Sequence, residues 1–311
     1  MIDSRQRLHH GGRVTPPTLP DPRVVLDTPR RVHTLDDAYA YCRALCEARE
    51  ENTPIASRFM APAMRPHVRA IYAFFRVAND LADRPAPPSE RLRDLDHWHE
   101  ALHRAFHGDA DHPIFIALAH TVRCCDLPVV PFERLLTAFR MDQTNSSYAT
   151  FSELRCYFLH AAEPMGQLLL YAFGYRQAEH LCFAAEACAG LQLTNFLQGL
   201  DADFNGHRQR LYLPLEDLHH FGVTQDDLRR RAATPQFRDL MRFQVTRARS
   251  LLDRGRPLLR LVGENLAFEL LLTFNSAAAV LDRITAVDGD VFAAPPVLRR
   301  RDRALVLART L

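Results

Sequence analysis

A chain of 311 residues, 47% apolar and 24% charged, is long enough for one large domain or two small ones and has an ordinary globular balance. Its net charge of +2 argues against a dedicated nucleic-acid binder, and no run approaches the roughly 18 apolar residues of a membrane span. All 39 basic side chains are arginine, so lysine nucleophiles and Schiff bases are excluded.

Residues 1–32 hold five prolines and scattered arginines and read as a flexible tail. The first twenty lack the apolar core of a signal peptide. From Thr34 the apolar spacing is helical. It predicts helices over about 34–50, 64–83, 89–107, 112–126, 131–142, 151–174, 177–204, 224–232, 235–262 and 266–286. Thr150-x-x-Glu153 and Thr224-x-x-Asp227 read as capping boxes. With only 12 glycines and no useful strand alternation, the fold class is all-α. The catalytic domain is expected over 33–286. Residues 287–311 form a basic C-terminal segment, with five arginines against one aspartate over 298–311. That segment fits either peripheral contact with an anionic membrane surface or a helix docked on its own domain.

Two predicted helices carry polar groups on otherwise apolar faces. In VRAIYAFFRVANDLAD, residues 68–83, spacings of three and four put Tyr72, Arg76, Asn79 and Asp83 on one face. In LQLTNFLQGLDADFNGHRQRLYLP, residues 191–214, Gln192, Asn195, Gly199 and Asp203 share a face in the same way. Buried carboxylates are costly without a counter-charge, and a magnesium ion bound to a diphosphate supplies one. Apolar residues interleaved with them, Phe74, Phe75, Phe196 and Leu197, suit a cavity that shelters a carbocation.

These paired motifs, with their order, their separation of roughly 120 residues and the RLYLP that follows, resemble the squalene/phytoene synthase family over about residues 34–285. ENTPIAS (51–57), HPIFIAL (112–118), YATFSEL (148–154) and AAEPMGQLLLYAFG (161–174) are most similar to its hydroxysqualene-forming branch. Gln198 stands where condensing relatives usually carry arginine. The resemblance implies an isoprenoid-synthase-type bundle around a central apolar cavity, in a cytoplasmic enzyme. It implies magnesium-dependent ionisation of a prenyl diphosphate, presqualene or farnesyl diphosphate, and a separate enzyme that forms presqualene diphosphate as partner. By position it places Asn52, Tyr72, Arg76, Gln192 and Asn195 at the substrate, with Arg210 and Tyr212 closing over the diphosphate. It assigns Asn79, Asp80, Asp83, Asn195 and Asp203 to the metal, and catalysis to Tyr72, Arg76, Asp80, Asp83 and Asp203.

Two positions depart from the family pattern. Asn79 and Gly199 stand where aspartate usually opens each motif, which removes two formal negative charges. Asp201, two residues from Gly199, is turned roughly 200° away from that face. Three readings stay open: an active enzyme with arginines compensating, a changed terpenoid substrate, or a non-catalytic partner protein.

The remaining signals read as ordinary structure. Seven cysteines without a zinc-like pair read as buried, reduced thiols. His99-Glu100-x-x-His103, extended by His107, matches a zinc-protease pattern but lies on a charged helix and reads as a solvated face.

Overall fold

The computed structural model describes residues 34–48, 59–293 and 295–311. The 1–32 tail and Asn52, with the whole of its motif at 51–57, lie outside the described residues. The helices are α1 (Leu35–Glu47), α2 (Arg65–Asp83), α3 (Pro88–Phe106), α4 (Pro113–Cys125), α5 (Val130–Met141), α6 (Phe151–Ala161) and α7 (Glu163–Ala172). They continue as α8 (Ala178–Phe204), α9 (Leu215–Phe221), α10 (Gln225–Arg229), α11 (Pro235–Gly255), α12 (Glu264–Ala286) and α13 (Arg300–Thr310). Among the described residues the only β contact is an isolated bridge between Ser147 and Leu211, so the all-α expectation holds.

Proline punctuates the chain. It lies in the first turn of α2, α3, α4, α5, α7 and α11, where its missing N–H costs nothing. One helix expected over 151–174 is two, because Pro164 removes a ladder hydrogen bond and its ring clashes with the preceding turn. The helix expected over 235–262 stops at Gly255 and passes into a 3₁₀ turn, Arg256–Arg260. Helix α9 was not expected at all. It follows Pro214 and ends on Gly222 in the left-handed conformation. The Thr224–Asp227 capping box is complete.

Two apolar clusters form the body. Helices α1–α5 pack around Phe74, Trp98, Phe115 and Phe132, all fully buried. Helices α6, α8, α11 and α12 pack around Phe158, Leu197, Met241 and Leu281. The α8–α11 pair approaches closely at two glycines: a Cβ on Gly190 would meet Leu252, and one on Gly255 would meet the Ala187 backbone. Helix α13 lies on α12, tied by Arg283–Asp302 (2.7 Å) and by Asn275 donating to Thr310 (3.0 Å).

An apolar cavity of about 290 Å³ opens between the two bodies. Val68, Ile71 and Tyr72 of α2 face Ala184, Ala187 and Leu191 of α8 across it, with α7 and α12 closing the sides. The cavity lies between the two motif helices, but Phe74, Phe75, Phe196 and Leu197, expected to line it, do not: Phe74 packs into the first cluster and Phe196 and Leu197 into the second. No described helix is long and apolar enough to cross a membrane. All seven cysteines are free, but only Cys42 and Cys46 are buried. Cys124, Cys156 and Cys182 are exposed on the outer faces of α4, α6 and α8, against the expectation of core thiols.

Candidate active site

Both motif helices run from the cavity to a carboxylate. On α2, Tyr72 lines the cavity and Asp83 ends the helix, about 16 Å further along the axis. On α8, Leu191 lines the cavity and Asp203 stands in the last turn. Helix C-termini carry partial negative charge, so two aspartates there demand cations.

The segment after α8 supplies them. Arg208 donates to Asp83 (3.1 Å) and pairs with Asp203 (3.2 Å), bridging the two motifs. Arg210 donates to the other Asp83 oxygen (2.9 Å). Asn79 turns its amide nitrogen to Asp83 (3.2 Å), and the His207 ring contacts the Asp83 carbonyl (2.8 Å). Backbone pairing holds this segment in place. Leu211 donates to Ser146 (2.7 Å), Leu215 to Tyr148 (3.0 Å), and Arg210 to Asp203 (2.8 Å). Gln209 bends the chain in the left-handed region, φ 50°.

Behind Arg210 sits Asp142, the residue after α5. It accepts from Tyr157 (2.9 Å) and Tyr212 (3.1 Å) and lies 3.7 Å from Arg210. Tyr212 stacks on Phe196 at 3.7 Å between ring centres. Burial pushes the Asp142 carboxyl up to about 6, although Arg210 pulls it down. Burial likewise pushes Asp203 up to about 6, opposed by Arg208 and reinforced by Asp83. Burial pulls Arg210 down, yet Asp142, Tyr212 and Asp83 hold it above the usual arginine range.

The structure therefore brings together Asn79, Asp83, Asp203 and Arg210 of the expected residues, with Tyr212 one contact away. Arg76 pairs with Asp80 one turn earlier on α2. Gln192 is half-buried and Asn195 exposed, and among the described residues neither hydrogen-bonds to the Asp83–Arg208–Asp203 group. Asp201 binds Arg231 (2.7 Å) and Asn205 (2.8 Å) away from the site, as its offset on the helix requires. Arg208, Asp142 and Tyr157 were not expected. Arg208 had a signal, since Arg208 and Arg210 are two apart in an extended segment and so face the same way. Asp142 and Tyr157 had none, being drawn in from distant helices.

Asp83 and Asp203 share the Arg208 guanidinium, so a cation already lies between them, and their hard oxygens are of the kind that magnesium takes. Asn79 adds a neutral oxygen, and Gly199 adds nothing. As donors, Asp83, Asp203 and Asn79 suit a hard ion, which would have to take the place of Arg208 between the two carboxylates.

An all-α bundle with paired aspartates on two helices beyond an apolar cavity has the isoprenoid-synthase fold. The chain belongs to the squalene/phytoene synthase family, whose model matches residues 46–304. It is similar to the squalene synthase HpnC of Alicyclobacillus acidocaldarius, with 38% identity, a TM-score of 0.76, and 82% of this chain and 95% of that one covered. A dehydrosqualene synthase solved with a ligand shares the fold at 23% identity and TM-score 0.82, over 89% of this chain and 96% of that one. The phytoene synthase of Arthrospira platensis is 29% identical over 272 residues, covering 83% of this chain and 87% of the relative.

Proposed function

We propose that this chain converts presqualene diphosphate and water to hydroxysqualene and diphosphate. The observation that carries this reading is the single Asp83–Asp203 pair bridged by Arg208. It leaves few carboxylates for metal ions, and the Arg208 and Arg210 guanidinium groups already offset the charge of Asp83 and Asp203, which suits one diphosphate better than two. The 38% identity to the squalene synthase HpnC, over nearly all of that protein, supports a reaction on the way to squalene.

Arg208 and Arg210, with Arg76 about two turns away along α2, hold the diphosphate oxygens as charge develops on them. Magnesium held by Asp83 and Asp203, with Asn79, would neutralise the leaving group further. The carbon–oxygen bond breaks with its electron pair leaving on the diphosphate, and the cyclopropylcarbinyl cation rearranges. Tyr72 and the apolar walls keep the chain folded and limit water to the final capture, where a water oxygen bonds to carbon and releases a proton. Asp142 with Tyr157 and Tyr212 fixes Arg210 from behind. A separate enzyme must supply presqualene diphosphate.

The phytoene synthase relative favours a second reading, direct condensation of two prenyl diphosphates. That reaction must manage two diphosphates, and the asparagine and glycine at 79 and 199 weaken the site for it. The test is incubation with presqualene diphosphate and magnesium, followed by mass spectrometry of the extract. Hydroxysqualene is expected. No product from folded protein, beside a working relative, would leave a partner protein without turnover.

A further inference from the structure

The zinc-protease-like run on α3 plays no part in the diphosphate site, yet the fold gives it a third ligand. His99 and His103 lie one turn apart, with ring centres 4.7 Å and Nε2 atoms 3.0 Å apart. Glu133, in the first turn of α5, places Oε1 at 3.3 Å from His103 Nε2 and 4.0 Å from His99 Nε2. A triangle with sides of 3.0, 3.3 and 4.0 Å has a circumradius of about 2.0 Å. One point therefore lies at the usual zinc–nitrogen and zinc–oxygen distance, about 2.0–2.2 Å, from all three atoms. The side chains are 31–44% exposed, open enough for a hydrated ion to enter.

A bare hydrogen-bonded chain from His99 through His103 to Glu133 explains each distance singly. It does not require all three atoms to surround one point. Facing Nε2 atoms at 3.0 Å cannot both carry protons, so at least one presents a lone pair. Burial, then Arg140 and His103, lowers the His99 pKa and favours the neutral ring that a metal needs. Arg140 approaches His99 Nδ1 at 3.3 Å, but its stronger partner is Asp96, at 2.8 and 3.2 Å. It can keep that pair when Nδ1 carries the proton.

We propose that His99, His103 and Glu133 bind one divalent ion of the zinc class, with water in the fourth position. Imidazole nitrogens select late transition ions over magnesium, so this site is chemically distinct from the Asp83–Asp203 pair. Glu133 takes the third place, and Glu100 of the motif is exposed and takes none. The ion staples α3 to α5, the helix that leads directly into Asp142.

The test uses the full-length chain without a histidine tag. Zinc affinity is measured by competition with a chromophoric chelator, and cobalt is substituted for its visible spectrum. One equivalent per chain is expected, with tetrahedral cobalt bands and no thiolate charge-transfer band. His103→Ala and the isosteric Glu133→Gln should each weaken binding at least about tenfold, while Glu100→Gln should not. Circular dichroism shows that each variant is folded, and Glu133→Gln decides the matter if His103→Ala does not fold. Failure of the parent chain to bind micromolar zinc would overturn the proposal. So would unchanged affinity in Glu133→Gln or a thiolate band in the cobalt spectrum.

Discussion

Arg208 contacts both Asp83 and Asp203, and in the proposed reaction each aspartate would both hold a guanidinium and offer an oxygen to a metal. Asp83→Ala or Asp203→Ala is expected to lower turnover by at least about 100-fold, the scale on which one preorganised electrostatic group acts. The fold should survive, as circular dichroism would show, and full activity in either variant would remove the residue from the site. Asn79→Asp should tighten magnesium binding, read as a lower concentration for half-maximal activity. Gly199→Asp should help less, because its Cβ would sit 3.1 Å from the Asp203 carboxylate, which must first turn aside. Unchanged magnesium dependence in both would mean that neither position faces the metal. Asp142 gives a pH signature. Its folded value of about 6 lies above the ordinary 3.8, so its stabilising contribution is full below about pH 4 and is lost as pH rises through 6. Asp142→Asn should flatten the fall in stability over that window in urea titrations at several pH values, with Asp203 leaving part of the slope. An unaltered slope would contradict the assignment. At this scale the motif residues were legible because helical spacing fixes faces. Asp142 was not, because nothing local marks an aspartate that two tyrosines and an arginine from other elements will enclose.

Most helices could be read from apolar spacing, proline and caps. The failures have local causes. Apolar residues continue through 151–174, but Pro164 breaks the backbone without breaking the pattern. Helix α9 is only seven residues long, too short to show a period. The seam between α8 and α11 was invisible for a different reason, since it depends on glycines meeting a partner far away in sequence. Gly190→Ala would bring a Cβ to 2.8 Å from the Leu252 side chain, and Gly255→Ala would bring one to 2.7 Å from the Ala187 nitrogen. Alanine gains about 1 kcal/mol in helix propensity, but overpacking against a neighbouring backbone costs about 1–3 kcal/mol. Both variants should therefore lose stability in denaturant titrations, since each new Cβ would also meet partner backbone, the Leu252 nitrogen at 2.9 Å and the Ala187 nitrogen at 2.7 Å. A gain in stability would show that the helices can move apart freely.

For the whole molecule, the two apolar bodies and the cavity between them follow from the two polar-faced helices having to face something. The basic C-terminal segment lies on α12 as α13, the second of its two readings, through contacts that are mostly tertiary and leave little trace in its own sequence. The proposed reaction asks the Asp83–Arg208–Asp203 group to bind one diphosphate beside an apolar cavity. Its most direct test sets presqualene diphosphate against farnesyl diphosphate in parallel incubations with magnesium, comparing kcat/KM and products. The expected result is hydroxysqualene from presqualene diphosphate and negligible turnover of farnesyl diphosphate. Efficient formation of a condensed C30 product from farnesyl diphosphate alone would contradict it.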